Sequence, residues 1–125
     1  MAQTIKCIFC NLDRAALAES DLSLAFFDTF PVSQGHTLVI PKRHIETIWD
    51  MTNEECSDAF DLIRKVKDIL KGKFSPQGFN IGMNCGEAAG QTVFHAHIHL
   101  IPRYYGDVPN PRGGVRNIIP DKGEY

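Results

Sequence analysis

Nowhere in the chain do eighteen apolar residues run together, so no segment is built to cross a bilayer as a helix. The opening Met-Ala-Gln-Thr-Ile-Lys has no basic region leading into an apolar stretch, and no secretory leader is expected. An excess of charge is also missing: 13 Lys and Arg stand against 15 Asp and Glu, a formal net of −2. That balance supplies no electrostatic footprint for a duplex or an anionic surface, so no stable nucleic-acid partner and no membrane association are expected. Internal repeats and low-complexity tracts are absent too. A cytoplasmic protein that handles small molecules is the expectation these absences leave. Cysteine is scarce, at Cys7, Cys10, Cys56 and Cys85, and in a reducing compartment a metal site or free thiols are favoured over disulfides.

What is present fits one domain over residues 1–125: the hydrophobic fraction of 43% supports a sheet packed on a long helix but not two separate cores. From about Gly106 the chain turns Gly/Pro-rich and loses periodicity, which suggests an extended carboxy-terminal arm. The clearest element is a helix over 52–74. Thr52-Asn53-Glu54-Glu55 has the form of a capping box, with Met51 and Cys56 at staple positions. Cys56, Ala59, Phe60, Ile63, Val66 and Leu70 then recur every three or four residues, and Gly72 and Pro76 end the pattern. Alternation at period two marks a strand from Phe79 to Asn84, with Leu22–Asp28 and His36–Ile40 as further candidates and Arg14–Glu19 undecided between strand and turn. The class is α+β, a mostly antiparallel sheet with one face on the helix.

The segment most informative about chemistry is Phe94-His95-Ala96-His97-Ile98-His99-Leu100-Ile101. In an extended strand the three histidines share one face at a spacing of about 6.6 Å, and Phe94, Ala96, Ile98 and Leu100 point the other way, onto the helix. A solvated polar face, or a single hydrogen-bonded core histidine, is the plain alternative. Three imidazoles in strict register argue against it. If the preceding strand pairs as a hairpin, Asn80, Gly82 and Asn84 join the histidine face, and Gly82 leaves room for a ligand. The connection Gly86-Glu87-Ala88-Ala89-Gly90-Gln91-Thr92-Val93 is made of small residues whose backbone amides can approach an anion, although ordinary turns share that composition.

His95-Ala96-His97-Ile98-His99-Leu100-Ile101 fits the pattern His-φ-His-φ-His-φ-φ, where φ is apolar, and so resembles the histidine triad (HIT) superfamily, in its microbial zinc-containing, Hint/Fhit-like branch. The likeness extends over most of the chain, through Ile8-Phe9-Cys10, Phe27-Asp28 before Pro31, Gly35-His36 through Pro41-Lys42 to His44, Asn84-x-Gly86 and Ala89-Gly90-Gln91. The resemblance implies a five-stranded HIT-like fold and a homodimer that continues one sheet across two subunits. It implies a hydrolase or nucleotidyl transferase acting at the α-phosphate through a covalent nucleotidyl-histidine. His97 matches the nucleophile and His99 its phosphate-contacting partner. Asn84, Gln91, Thr92 and Val93 match positions that hold phosphate oxygens, Asp28 the acceptor for ribose hydroxyls, and Ile8 and Phe9, with Leu12 and Phe26, the apolar slot for the base. Plain core packing is the alternative for these four, above all for Leu12 and Phe26. His36 lies near a supporting histidine of the family, but a surface histidine at a strand start reads the same way.

Cys7-x₂-Cys10 has the spacing with which a short turn aims two thiolates at one ion, though a reduced pair or a redox dithiol would look alike. The resemblance supplies two more ligands, His44 and His95, for one structural zinc per chain with no organic cofactor. It leaves the substrate divided: hydrolysis of a dinucleoside polyphosphate such as Ap4A is the leading expectation, with a nucleoside phosphoramidate or acyl-adenylate as the alternative. Arg103, Arg112 and Arg116 are candidates to meet distal phosphates, against a surface role. Two rivals of another kind are a catalytic metal held directly by His95, His97 and His99, and a nucleotide-binding module without turnover.

Overall fold

In the computed structural model, whose described residues are 7–125, five strands form a single antiparallel sheet. They are β1 (Ala18–Glu19), β2 (Ser23–Phe27), β3 (Thr37–Pro41), β4 (Gly78–Gly82) and β5 (Ile98–Arg103), in the order β1-β2-β3-β5-β4. The segment left undecided in the sequence is thus a turn that ends in the two-residue β1. One long helix, α1 (Asn53–Phe74), covers one face of the sheet. Thr52 caps it reciprocally: the Glu55 amide donates to Thr52 Oγ1 at 3.1 Å, and the Thr52 amide donates to Glu55 Oε1 at 2.9 Å. Arg43 grips the same carboxylate at 2.8 Å, so its burial carries a partner. At the far end Ser75, at φ 55°, closes the helix in the left-handed conformation. No described helix is long and apolar enough to cross a membrane.

The helix buries Ala59, Leu62, Ile63, Val66 and Leu70 against Ala25, Val39, Ile98 and Leu100, and Met51 and Cys56 join this core at the capped end. Phe60 departs from the sequence expectation. It is exposed, and Leu62 takes a core place, because Phe60 lies about 100° round the helix from Ala59, on the flank of the buried stripe. A second, smaller core occupies the opposite sheet face, where Phe9 packs on Phe26, Leu38 and Ile40, with Leu12 and Val93 beside it.

The register fixes which residues share a face. Gly82 pairs with His99 and Asn80 with Ile101, while Leu38 pairs with His99 from the other side. Directly opposed residues point the same way, so Asn80 and Gly82 lie on the face of His99, as the hairpin reading requires. Two expectations are corrected. β5 begins only at Ile98: the Ala96 amide donates to Ile45 O at 2.6 Å rather than to a strand partner, so residues 92–97 run irregularly and Phe94 turns outward instead of onto the helix. The tail is not an extended arm. It turns at Tyr104–Asp107, forms a 3₁₀ turn at Gly114–Ile118 and doubles back, with Asn110 Nδ2 donating to Glu124 at 2.7 Å. At Gly113, φ +87°, an added Cβ would sit 2.0 Å from Gly123 O, so only glycine allows this return.

Candidate active site

The irregular entry to β5 separates the three histidines into two tasks. His95 is fully buried and turns away from the other two, toward the amino-terminal cysteines. His97 and His99 face each other with ring centroids 5.2 Å apart and line a cavity of about 340 Å³. Ile8, Phe9, Phe26 and Leu38 supply its apolar wall, and Phe9 meets His97 edge-on at 5.1 Å. Asp28, Asn84, Thr92 and Val93 supply its polar rim. Of the residues expected to bind a nucleotide, Ile8, Phe9, Asp28, Asn84, Thr92 and Val93 are therefore brought together. Phe26 is both core and wall, and Leu12 packs behind.

Gln91 is placed otherwise. Its side chain is buried, accepts from the Gly86 amide at 2.8 Å and donates to Glu46 O at 2.7 Å and Val93 O at 3.1 Å, while its own amide donates to Gly86 O. Its side-chain and backbone N–H groups are all engaged, so Gln91 straps the loop and ties it to Glu46, with no donor left over for a phosphate. The strap leaves the amides of Thr92 and Val93 without an acceptor among the described residues, at the cavity wall. Such amides are the groups an anion would take.

Backbone contacts select each imidazole tautomer. His97 Nδ1 donates to the carbonyl of His95 at 2.8 Å, which leaves the Nε2 lone pair for the cavity. His95 Nε2 donates to Pro41 O at 2.8 Å, which leaves Nδ1 for the cysteines. For His99 the control runs through His36. The Val32 amide donates to His36 Nδ1 at 3.1 Å, so the proton of His36 is on Nε2, 2.9 Å from His99 Nδ1. His99 accepts there and presents Nε2–H to the cavity. Asp28, 3.5 Å from His36 Nε2, stands beside this relay as well as at the rim. Burial, then the neighbouring His97 and His36, pushes the His99 imidazole down from 6.5 to about 4, so it stays an uncharged donor. Burial also lowers His36 against the pull of Asp28. His36 was not singled out from sequence as a working residue. A single histidine at a strand start carries no sign of its partner, and its exposure of 3% excludes the surface reading.

Cys7, Cys10, His44 and His95 converge, with one ligand atom of each within 4.8 Å of all the others. Cys10 Sγ lies 3.2 Å from His44 Nδ1 and 3.4 Å from His95 Nδ1. These separations suit the edges of a tetrahedron, about 3.5 Å for usual zinc–sulfur and zinc–nitrogen bonds. Burial and the adjoining Cys7 push the Cys10 thiol up to about 11, so a neutral thiol at Cys10 is what the protein alone favours and a divalent cation is what would turn it into a ligand. The three triad histidines do not themselves converge on one point: among the described residues His95 belongs to this group, and His99 to a separate one with Asp28 and His36.

The arginines proposed for distal phosphates are engaged internally. Arg103 is held by Asp107 at 2.7 and 2.8 Å and by Asn80 at 2.6 Å, while Arg112 and Arg116 lie over the ring of Tyr125.

A sequence profile of the HIT domain matches residues 11–106. Among curated relatives, an adenosine 5′-monophosphoramidase of Schizosaccharomyces pombe is 39% identical over 116 residues, 89% of this chain and 80% of that protein. An asymmetrical bis(5′-nucleosyl)-tetraphosphatase of the same organism is 44% identical over 86 residues, 69% of this chain and 47% of that protein. Among solved structures, a zinc-bound histidine triad family protein of Mycobacterium smegmatis superposes with a TM-score of 0.77 at 34% identity, covering 86% of this chain and 81% of its own.

Proposed function

This chain belongs to the HIT domain family, and on that premise we propose that it is a nucleotide hydrolase in which His97 Nε2 attacks the α-phosphorus of a bound nucleotide. The observation that carries the reading is the hydrogen bond from His97 Nδ1 to the carbonyl of His95, because it fixes the tautomer with a lone pair toward the cavity. It also stabilises the positive charge that grows on the ring as the Nε2–P bond forms.

In the first step that bond forms and the bond from phosphorus to the leaving group breaks, its electron pair departing with the leaving group, which takes a proton from solvent. His99 Nε2–H donates to the leaving atom or to a phosphate oxygen, and the amides of Thr92 and Val93, with Asn84, hold the other oxygens. In the second step water attacks phosphorus, the electron pair of the P–N bond returns to Nε2, and the water proton passes to solvent. One water is consumed and a nucleoside monophosphate is released. Asp28 accepts from the ribose hydroxyls, and the base lies against Ile8, Phe9 and Phe26. The S. pombe relatives bear on both leaving groups foreseen, a phosphoramidate nitrogen and a polyphosphate.

Zinc held by Cys7, Cys10, His44 and His95 supplies structure in this reading. It ties the amino-terminal turn, and with it Ile8 and Phe9, to the segment that carries His97. Chelation is expected to release about one zinc per chain and lower the melting temperature, read by metal analysis and calorimetry. The reading also includes a cytoplasmic location and a homodimer. β4 is a sheet edge with Ile81 exposed, the helix exposes Phe60, and light scattering on the purified protein tests the pairing.

The decisive experiment is rapid quenching of the enzyme with adenosine substrates labelled at the α-phosphate. A transient adenylyl adduct on His97 supports the proposal. Turnover with no adduct, together with inhibition by chelators, would favour direct metal-assisted hydrolysis instead.

A further inference from the structure

Asp28 and His36 stand opposite each other just past the paired ends of β2 and β3, where the Asp28 amide donates to His36 O at 2.9 Å and carries the ladder one step beyond Phe27 and Thr37. Opposed residues point the same way, and the register that pairs Phe26 with Leu38 and Leu38 with His99 sets both side chains on the cavity face. There the N–H of His36 Nε2 meets two acceptors, His99 Nδ1 at 2.9 Å and Asp28 Oδ2 at 3.5 Å. The Val32 amide, donating to His36 Nδ1, holds the proton on Nε2, where a metal ion would have to bind. The group of Asp28, His36 and His99 is therefore built to direct a proton rather than to hold a cation.

One N–H cannot satisfy both acceptors. Asp28 is short of donors: Oδ1 accepts from the Phe30 amide at 2.9 Å, while among the described residues nothing but His36 approaches Oδ2. Its side chain is 17% exposed, which limits what water supplies. When the His36 N–H turns to Asp28, His99 Nδ1 loses the donor that holds its tautomer. The His99 proton is then free to sit on Nδ1, within reach of the same carboxylate, and Nε2 shows the cavity a lone pair. That state gains a charge-assisted contact but has no donor for the leaving atom or a phosphate oxygen. Ribose hydroxyls reverse the balance. A carboxylate has about four acceptor positions; the Phe30 amide and two hydroxyls fill most of them and screen the charge that draws His36, whose N–H returns to His99.

We propose that Asp28 is a positioning residue as well as a ribose acceptor: by occupying its carboxylate, the 2′- and 3′-hydroxyls commit the His36 N–H to His99 and so set the donor that the displacement uses. This rests on attack by His97 with the ribose on Asp28, and it makes the ribose a requirement for rate and not for affinity alone. The substrate class is thereby narrowed to nucleotides whose two ribose hydroxyls are free.

Adenosine 5′-phosphoramidate and its 2′,3′-dideoxy analogue test the coupling. In wild-type protein the dideoxy compound should lose about tenfold in kcat, besides any rise in KM. In His36→Ala, which has no N–H to redirect, kcat should differ less than about twofold between the compounds while the KM difference persists. An Asp28 that only binds ribose would move KM alone. Side-chain ¹⁵N spectra of the wild-type protein add a readout that needs no turnover. Saturating adenosine 5′-monophosphate should bring His99 to the Nε2–H tautomer, and the saturating 2′,3′-dideoxy monophosphate should leave two tautomers in exchange. Equal kcat for the two compounds in wild type, a tenfold ratio that survives in His36→Ala, or identical His99 spectra in the two complexes overturns the proposal. Failure of the underlying chemistry looks different: neither amidate would then be turned over, and the spectra alone would decide the coupling.

Discussion

The two faces of the sheet are cut from the same strands, yet they are built to opposite ends. On the helix side, Ala25, Val39, Ile98 and Leu100 meet Leu62, Val66 and Leu70, all at 2% exposure or less, and the buried Thr37 at the margin of this layer turns its hydroxyl back to Gly35 O. On the other side the apolar patch of Phe9, Phe26, Leu38 and Ile40 covers only part of the sheet, and buried histidines occupy the adjoining ground. Period-two alternation lets one strand serve both. Ile98 and Leu100 anchor β5 in the core while His99, between them, is held on a rigid support. The cost of the arrangement is concentrated on the second face, where imidazoles are desolvated and each needs a partner.

The largest expected effect separates the two faces by function. His97→Ala removes the nucleophile, and kcat should fall by at least about a thousandfold while nucleotide affinity and melting temperature hold, measured by steady-state kinetics, calorimetric titration and thermal melts. A loss of binding as large as the loss of rate would mean that His97 is a binding residue only. The mirror-image substitution is Leu70→Ala on the helix side. It should destabilise by about 2–5 kcal/mol through the cavity it leaves, with kcat little changed below the unfolding transition. If catalysis collapsed with it at a temperature where the fold persists, the faces would not be separable.

A smaller effect is expected at His36, which touches His99 rather than the cavity's reacting atoms. His36→Ala frees His99 to flip its tautomer, and kcat should fall by about ten- to a hundredfold with KM nearly constant. His36→Gln keeps a donor opposite His99 Nδ1 and should recover part of that loss, whereas a purely structural role would make the two variants alike in rate and different only in stability. The smallest effect is in pH. The folded His99 is depressed from 6.5 to about 4, so between those values the unfolded chain binds more protons than the folded one. The stability it contributes is complete above about 6.5 and is lost as pH falls toward 4. Urea titrations across that window should show a shallower decline in His99→Gln than in the parent, and parallel slopes would assign the pH dependence elsewhere.

Much of this was legible beforehand because it rests on local rules. The helix was bounded to within a residue because Thr52 and Glu55 satisfy amides a few positions away and Gly72 and Pro76 break the apolar periodicity at its far end. The antiparallel pairing of β4 with β5 could be read from alternation on both sides of the connection that holds Gly86 and Gly90. Phe60 falls outside the core through helix angle alone, whereas the placing of Phe94 and Gln91 has another reason. Residue type shows that a side chain can be buried or can bind, but a neighbour distant in sequence decides whether it does. Ile45 O takes the amide of Ala96 and so ends the alternation before Phe94, and Glu46 O takes the side chain of Gln91. The tail was read as an arm because glycine and proline report missing periodicity, while its return depends on the close approach of Gly113 to Gly123.

The sequence by itself determined that three imidazoles would stand at every second position where the chain enters an inner strand of an antiparallel sheet, because their spacing and the apolar alternation that continues through Leu100 are local properties. Tertiary structure alone decided what each imidazole does. His95 is set by Pro41 and the cysteines, His97 by the carbonyl of His95, and His99 by His36. A ring nitrogen becomes donor or acceptor according to the group opposite it, and apart from the carbonyl of His95 those groups come from distant parts of the chain.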